Sequence, residues 1–476
     1  MSLSDLLLMR NELMLISALI IILIADLFYD DDRRNQFYTF SVVLVFIVTV
    51  VSFIPQETAT LFGGMYHVGP TQMVMKAILN LGTFLVLLQA SSWLNGPQKG
   101  RSGEFILLLI STLIGMGYMV SSQHFLMFFL GLELATIPLA ALAAFESHQS
   151  KSAEAGIKFI LLAAFSSGVL LFGLSMIYAL SGSMYFEDVM LSVNDSPLAV
   201  LGLIFFISGL AFKISIVPFH LWTADVYEGA PISVTAYLSV VSKGAAVFIL
   251  LIVLHTVFIS LLDLWFPILY VLIILTITLG NLFALRQSNV KRFLAFSSIA
   301  QAGFILLGFI NTNALGPATV IYFVLIYVFS NLAAFGVATA ILDESGKQKL
   351  TDYKGFYDTN PKLSLVMMLA MFSLAGIPPV AGFFGKFFLF TAVAEQGYYV
   401  LVLIAVINSI VSLYYYLLVV KAMFIDKSES PIPTFQSNFP MKVSLVICVI
   451  GIVSIGFYGG LFDHLMEVAS HFVSVN

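Results

Sequence analysis

The stretch FKISIVPFHLWTADVYEGAP, residues 212–231, decides how this chain is read. Apolar runs flank it on both sides, yet it carries Lys213 and His220, and Lys243 follows within the next run. A charged side chain at the centre of a membrane helix costs about 2.5–3.5 kcal/mol even on the lenient insertion scale. A chain that places lysines there must pair them or use them.

Working outward, the composition leaves one class. The 476 residues are 60% hydrophobic and 10% charged, with a mean hydropathy of +1.02. Soluble domains carry roughly a quarter charged residues, so the chain is expected to be an all-α polytopic membrane protein. Its single cysteine, Cys448, lies in an apolar run. One cysteine makes no internal disulfide, zinc site or iron–sulfur cluster. The only Gly-Lys pair, Gly385-Lys386, is followed by Phe387 and lacks the first glycine of a phosphate loop. No nucleotide, flavin, metal or cluster site is therefore expected in this chain, and no nucleic-acid partner.

Crossing about 30 Å of hydrocarbon takes about 20 apolar residues. Such runs fall near 12–29, 36–54, 71–93, 103–121, 123–145, 153–180, 196–222, 231–256, 263–285, 291–311, 315–342, 362–394, 397–424 and 441–461. The expectation is fourteen transmembrane helices. The first has no small-residue cleavage site and runs into the acidic DDDRR of residues 30–34, so it is expected to be retained. Most of the 21 lysines and arginines fall in loops that follow odd-numbered spans, while Arg10 and Lys76 alone fall on the opposite side. The positive-inside bias then puts the odd loops in the cytoplasm and both termini outside. Asp26 and Glu12 read as interface residues, and Trp93, Trp222 and Trp265 as interfacial anchors at span ends.

Four lysines belong to no loop: Lys158 in span six, Lys213 in span seven, Lys243 in span eight and Lys386 in span twelve. Glu133 is the one clear mid-span carboxylate. Four unpaired charges would cost on the order of 12 kcal/mol, so Glu133 is expected to partner Lys158 or Lys213. Lys158, about a turn and a half into its span, can equally snorkel to the interface. His220, near the cytoplasmic interface, reads evenly as a structural hydrogen-bonder or a proton carrier.

Prolines break two of these spans. Pro218 removes the bond to the Ile214 carbonyl beside Lys213. Gly376, Pro378, Pro379, Gly382 and Gly385 interrupt span twelve just before Lys386. Irregular backbone at membrane depth is tolerated only where protein or a water-filled cavity covers it. Each break is expected to set free carbonyls beside a lysine. The breaks lie five spans apart, so spans four to eight and nine to thirteen form two five-helix units of opposite orientation, an inverted repeat. The chain divides into an N-terminal three-helix part (1–102), a first repeat (103–256), a second repeat (257–424) and a C-terminal helix (425–476). Span ten, the counterpart of span five, offers Gln301 and no carboxylate. Span thirteen offers Asn408 and Ser409 and no lysine.

At this point the residues carry a resemblance. FKISIVPFHLWTADVYEGAP resembles the signature of the antiporter-like membrane subunits of respiratory complex I, the proton-pumping NADH:quinone oxidoreductase. Asp225-Val226-Tyr227-Glu228-Gly229-Ala230-Pro231 and Lys386 are similar to the N-type branch of that family. Ala224 stands where the family commonly has proline. The resemblance implies proton-transfer roles for Glu133, Lys213, Lys243 and Lys386, with Lys158 and His220 as weaker candidates, along a hydrated axis. It implies a subunit of a translocase that holds no redox centre, with NADH, FMN, iron–sulfur clusters and quinone bound by partner subunits. The implied partners are the antiporter-like subunit M, the small membrane subunits and the lipid of a bacterial inner membrane. A cation/proton antiporter subunit or a membrane-bound hydrogenase-type complex shares the ancestral fold and stays open, as does a purely structural membrane subunit.

The chemistry fits lysine. Burial penalises its charged form and a nearby carboxylate favours it, so a moving Glu partner could load and release a proton. Arginine stays protonated, and none of the four intramembrane cations is arginine.

Overall fold

The computed structural model describes residues 7–474, almost all of them helical. With no water in a bilayer core, backbone groups must be satisfied within the segment, and helices do this. The principal helices are α1 (Arg10–Asp26), α2 (Arg34–Ser52), α3 (Pro70–Gln89), α4 (Ser102–Val120), α5 (Phe125–Ala143), α6 (Ser150–Ser181), α7 (Pro197–Ile214), α8 (Leu221–Gly229) and α9 (Ile232–Thr256). They continue with α10 (Leu262–Ala284), α11 (Val290–Leu306), α12 (Leu315–Ser345), α13 (Pro361–Ala375), α14 (Ala381–Glu395), α15 (Tyr399–Phe424), α16 (Phe439–Phe457) and α17 (Gly460–Ser474). The one sheet among the described residues is a hairpin, β1 (Ala59–Leu61) and β2 (Tyr66–Val68), with Ala59 opposite Val68.

Twelve helices among the described residues are long and apolar enough to cross a membrane, which makes this a multi-pass membrane protein. The expected first span appears as the 17-residue α1, at the lower limit for crossing. The expected twelfth is divided into α13 and α14, of 15 residues each. The apolar windows of α11 and α12 are wholly enclosed, whereas α2, α10 and α15 bury only 33% of theirs. The centre of the molecule is thus built on α9, α11 and α12, with apolar faces turned outward around them.

Two stretches depart from the expected pattern. The loop expected between the spans 196–222 and 231–256 lies mostly in α8, and Asp225 and Glu228 therefore stand on a helix. After α16 the chain makes one more helix, α17, whose Phe462, Leu465, Val468, Ala469 and Phe472 are buried. Thr71 at the start of α3 donates to the Val468 carbonyl at 3.1 Å, and Phe462 stacks on Phe388 of α14 with centroids 3.8 Å apart. An amphipathic helix has too few apolar residues in a run to read as a span.

Local motifs recur. His124 caps α5 by accepting from the Leu126 N–H, and Asn289 caps α11 by accepting from Lys291 and Arg292. Each cap residue forms an isolated antiparallel bridge, His124 with Tyr185 and Asn289 with Lys349. The bridge partners follow the long helices α6 and α12, which both end on a left-handed glycine, Gly182 and Gly346.

The tryptophan reading needs correction. Trp222 and Trp265 are enclosed, donating to the Phe212 carbonyl at 3.0 Å and the Phe258 carbonyl at 2.8 Å. An indole N–H can be buried once a backbone carbonyl receives it. Trp93 is half-buried and donates to Glu146.

Candidate functional site

The first break is a tight one. α7 stops at Ile214 because Ser215 turns left-handed (φ 68°). The N–H groups of Ser215 and Ile216 close back on the Phe212 and Ala211 carbonyls at 3.0 and 2.9 Å. Thr276 of α10 receives the Val217 N–H at 3.0 Å. The carbonyls occupied at this break are those of Ala211 and Phe212, the latter also taken by Trp222. Lys213, in the last turn of α7, is buried and donates to Thr136 Oγ1 on α5. Its ammonium lies 5.8 Å from the Phe159 ring centroid.

Glu133 stands one turn before Thr136 on α5, half-buried, and accepts from Ser167 Oγ of α6 at 2.6 Å. Among the described residues no ion pair joins Glu133 to a lysine, so the expected pairing with Lys213 is indirect, through neighbouring positions on α5. Lys158 pairs elsewhere: with Glu154 at 2.7 Å and Asp225 at 2.8 Å. Arg292 joins Asp225 (2.9 Å) to Glu228 (3.0 Å), and Lys151 reaches Glu228 at 3.0 Å. This network fastens α8 to α6 and α11. Hydrogen bonds from Lys158, then Arg292, hold the Asp225 carboxyl below the usual carboxylate range. His220, buried at the start of α8, has Nδ1 without a hydrogen-bond partner among the described residues.

The second lysine follows a distortion. A π-turn over Leu238–Ser242 widens α9 immediately before Lys243, a feature common at functional sites. The Lys243 ammonium is fully buried and donates to Ser298 of α11, at 2.5 Å to Oγ and 3.1 Å to the carbonyl. Behind Ser298 stands a hydroxyl and amide cluster. Ser239 and Tyr327 hydroxyls lie 2.9 Å apart, and Asn331 donates to both, at 2.7 and 3.1 Å.

The second break carries the third lysine. α13 ends at Ala375 because Gly376 turns left-handed (φ 86°), and α14 starts at Ala381. A Cβ on Gly382 would sit 1.7 Å from the Ser373 carbonyl oxygen, so the two half-helices touch there. Lys386 is buried and donates to the Ala375 carbonyl at 2.9 Å and to Ser409 Oγ at 3.1 Å. Here the break does set a free carbonyl on a lysine, as the sequence leads one to expect. The neighbouring Leu374 carbonyl receives Gln301 Nε2 at 3.0 Å. Gln301 is one turn along α11 from Ser298, so Lys243, Ser298, Gln301, the two adjacent carbonyls and Lys386 form one buried polar row. Lys213, directed at Thr136 of α5, makes none of these contacts.

The two capped helices offer matching counts. Glu133 stands nine residues after His124, and the residue nine after Asn289 is Ser298, not Gln301. Asp225 stands seven residues after Pro218, as Lys386 does after Pro379.

Three charged residues are buried where the sequence suggests exposure. Lys76 and Glu12, read as loop and interface residues, are 3% and 0% exposed and form an ion pair at 2.5 Å. The available signal was the α3 spacing Gln72, Lys76, Asn80, Thr83, one polar stripe on an otherwise apolar helix. Lys291, also read as a loop cation, is buried at the start of α11 and donates to the Ala230 carbonyl at 2.7 Å. It lines a cleft of about 440 Å³ with Glu146, Glu228 and Asp343. Among the described residues no group of three or more His, Cys, Asp or Glu side chains could hold a metal ion.

A helical membrane fold with two broken helices and buried lysines defines an antiporter-like membrane subunit. Residues 122–412 match the family described as NADH:quinone oxidoreductase/Mrp antiporter, transmembrane. Subunit N of NADH-quinone oxidoreductase from Phocaeicola vulgatus is 51% identical over 98% of this chain and 100% of its own. The subunit N of Azobacteroides pseudotrichonymphae is 49% identical over 98% of this chain and 99% of its own. A chain of respiratory complex I from Thermus thermophilus with bound aureothin superposes with a TM-score of 0.80 at 28% identity, covering 96% of this chain and 99% of that one. The chain belongs to the subunit N branch of the antiporter-like membrane subunits of NADH:quinone oxidoreductase.

Proposed function

We propose that this chain is a proton-translocating subunit of a proton-pumping NADH:quinone oxidoreductase in a bacterial inner membrane. Electron transfer from NADH to quinone runs in partner subunits that hold FMN, iron–sulfur clusters and quinone. Here its energy moves protons along Glu133, Lys213, Lys243 and Lys386, with Lys158 and His220 beside the route. The observation that carries this reading is the buried row from Lys243 through Ser298 and Gln301 to Lys386. Its lysines are surrounded by hydroxyl and carbonyl oxygens, not by carboxylates at ion-pair distance. A purely structural subunit has no need of such sites, since buried charges are rare in membrane helices and mark ion pathways. Chain neighbours in the complex are the antiporter-like subunit M and small membrane subunits.

In this reading α1 and the α13–α14 pair each count as a span, giving fourteen. Spans four to eight and nine to thirteen are two five-helix units of opposite orientation. The paired cap bridges of His124 and Asn289 and the paired breaks at Ser215 and Gly376 support that arrangement. Both termini face the periplasm. Cysteines placed at the exposed Gly100 and Asn313 are expected to label from opposite sides in intact cells, and same-side labelling overturns the topology. The function itself is tested by Lys243→Gln in the assembled complex, measured in vesicles. Proton pumping per electron is expected to fall while the complex still assembles, and unchanged pumping refutes the route.

A further inference from the structure

Outside the lysine row, one buried cluster of titratable groups has no part in the proposed route. Glu12 of α1, Tyr66 of β2 and Lys76 of α3 meet beneath the hairpin. The Lys76 ammonium donates to Tyr66 Oη at 2.9 Å, Tyr66 Oη donates to Glu12 Oε2 at 2.8 Å, and the ammonium also lies 2.5 Å from Glu12 Oε1. All three side chains are enclosed. A buried pair is weak evidence for stability, because well-packed apolar residues often replace it at no cost. What sets this one apart is the phenol inserted into it. In the chain Nζ–H to Oη–H to Oε2, two protons shift together. The Lys76 N–H bond breaks as an Oη–H bond forms, and the old Oη–H bond breaks as an Oε2–H bond forms. Both charges vanish and no third reactant is needed.

The cluster is open to polar groups on both sides. Towards the hairpin face, His67 follows Tyr66 and lines two clefts, of about 590 Å³ with Gln123, Glu187 and Asp188, and of about 240 Å³ with Thr71 and Gln72. Burial, then the nearby Lys76, lower the His67 imidazole from its ordinary value. Towards the interior, the α3 stripe continues through Asn80, which donates to Asn11 at 2.6 Å, to Thr83. Thr83 adjoins Tyr237 of α9, whose hydroxyl lies 2.7 Å from Thr112 Oγ1. Tyr237 is the residue just before the π-turn that leads into Lys243. Among the described residues, Tyr118 of α4 also faces the cluster, near Glu12.

We propose that Glu12, Tyr66 and Lys76 form a second proton-holding site, which exchanges protons with the hairpin face through the clefts at His67 and with the Lys243 region through Asn80, Thr83 and Tyr237. The site rests on the proton-translocating reading above. It is a lateral branch of that route, built on helices that lie outside the two five-helix units.

The test uses the complete complex in vesicles at matched content, recording proton pumping and electron transfer together as a function of pH. Tyr66→Phe keeps the ring and the direct Glu12–Lys76 pair but removes the relay hydroxyl. It is expected to assemble, to lose this subunit's share of the pumping and to shift its pH profile. Thr83→Val, which leaves the triad whole and cuts the inner ladder, is expected to lose the same share. The double variant Glu12→Gln with Lys76→Met preserves packing without charge and is expected to assemble and pump no better than Tyr66→Phe. Normal pumping and an unshifted profile in Tyr66→Phe overturn the proposal, whether or not the double variant assembles. The triad is then a clamp between α1 and α3. Lys243→Gln run beside these separates the two ideas: normal pumping there refutes the underlying route, whatever the triad variants do.

Discussion

At the first break the lysine stands before the interruption, and at the second it stands after. Lys213 ends α7 and reaches out to a hydroxyl on another helix, Thr136, one turn from Glu133. Lys386 reaches back to its own interrupted helix and takes the freed Ala375 carbonyl. The backbone is closed off in the same way in both, by a left-handed residue whose following N–H groups return to the last turn. The difference is in the electrostatics. The hydroxyl that Lys213 bonds stands one turn from a carboxylate, Glu133, while Lys386 has neutral acceptors only. In the proposed route the first site is the one a carboxylate can drive, and Lys386 is left to receive a proton and pass it on.

The sharpest way to break this comparison is at Lys386. Lys386→Ala is expected to reduce proton flux through this subunit by about 10²-fold or more, the scale of a lost proton-transfer group. Lys386→Arg is expected to fail as well, since arginine keeps its proton. Full pumping by the arginine variant at matched complex content would show that a fixed charge suffices there.

A smaller effect is expected at the first break. Glu133→Gln and Lys213→Met each lower pumping, and the double variant is expected to be no worse than the worse single one, a coupling of about 1 kcal/mol. Additive losses in the same vesicle assay would show that the carboxylate and the ammonium act separately.

The smallest expected effect concerns Asp225, seven residues after Pro218 as Lys386 is seven after Pro379. Its carboxyl is held down by Lys158 and Arg292. The stability it gives is present above the unfolded carboxyl's value and is lost as pH falls through the lowered folded one. Because the side chain is 40% exposed, solvent screening limits this to about 0.5 kcal/mol. Asp225→Asn is expected to unfold slightly earlier at neutral pH and to match the parent in acid, as read from thermal unfolding in detergent. A gap that persists in acid would assign the loss to packing of α8 instead.

The membrane class was legible from composition, and most spans from runs of about 20 apolar residues. The two breaks were legible because Pro218 and Pro379 cannot continue a ladder of hydrogen bonds. Lys213, Lys243 and Lys386 stood out as charges inside apolar runs. Their partners did not: Thr136, Ser298 and Ala375 are ordinary residues whose importance comes from a lysine arriving from elsewhere in the chain. Lys76 and Glu12 were lost for a related reason. Each lies near the start of its helix, where a charge reads as an interface residue, and only the fold covers them with the hairpin. α8 and α17 escaped notice because neither is a continuous apolar run.

The last helix has a mechanical meaning. α17 is gripped at one point by Thr71 of α3 and pressed at another against Phe388 of α14, two residues beyond Lys386. It works as a strut between the helix that bears Lys76 and the half-helix that bears Lys386. Packed interiors transmit displacement instead of absorbing it, so an axial slide of α14 is felt at α3. Two buried cations, Lys76 and Lys386, thus stand on helices that both pack on the enclosed α12 and are bridged by α17.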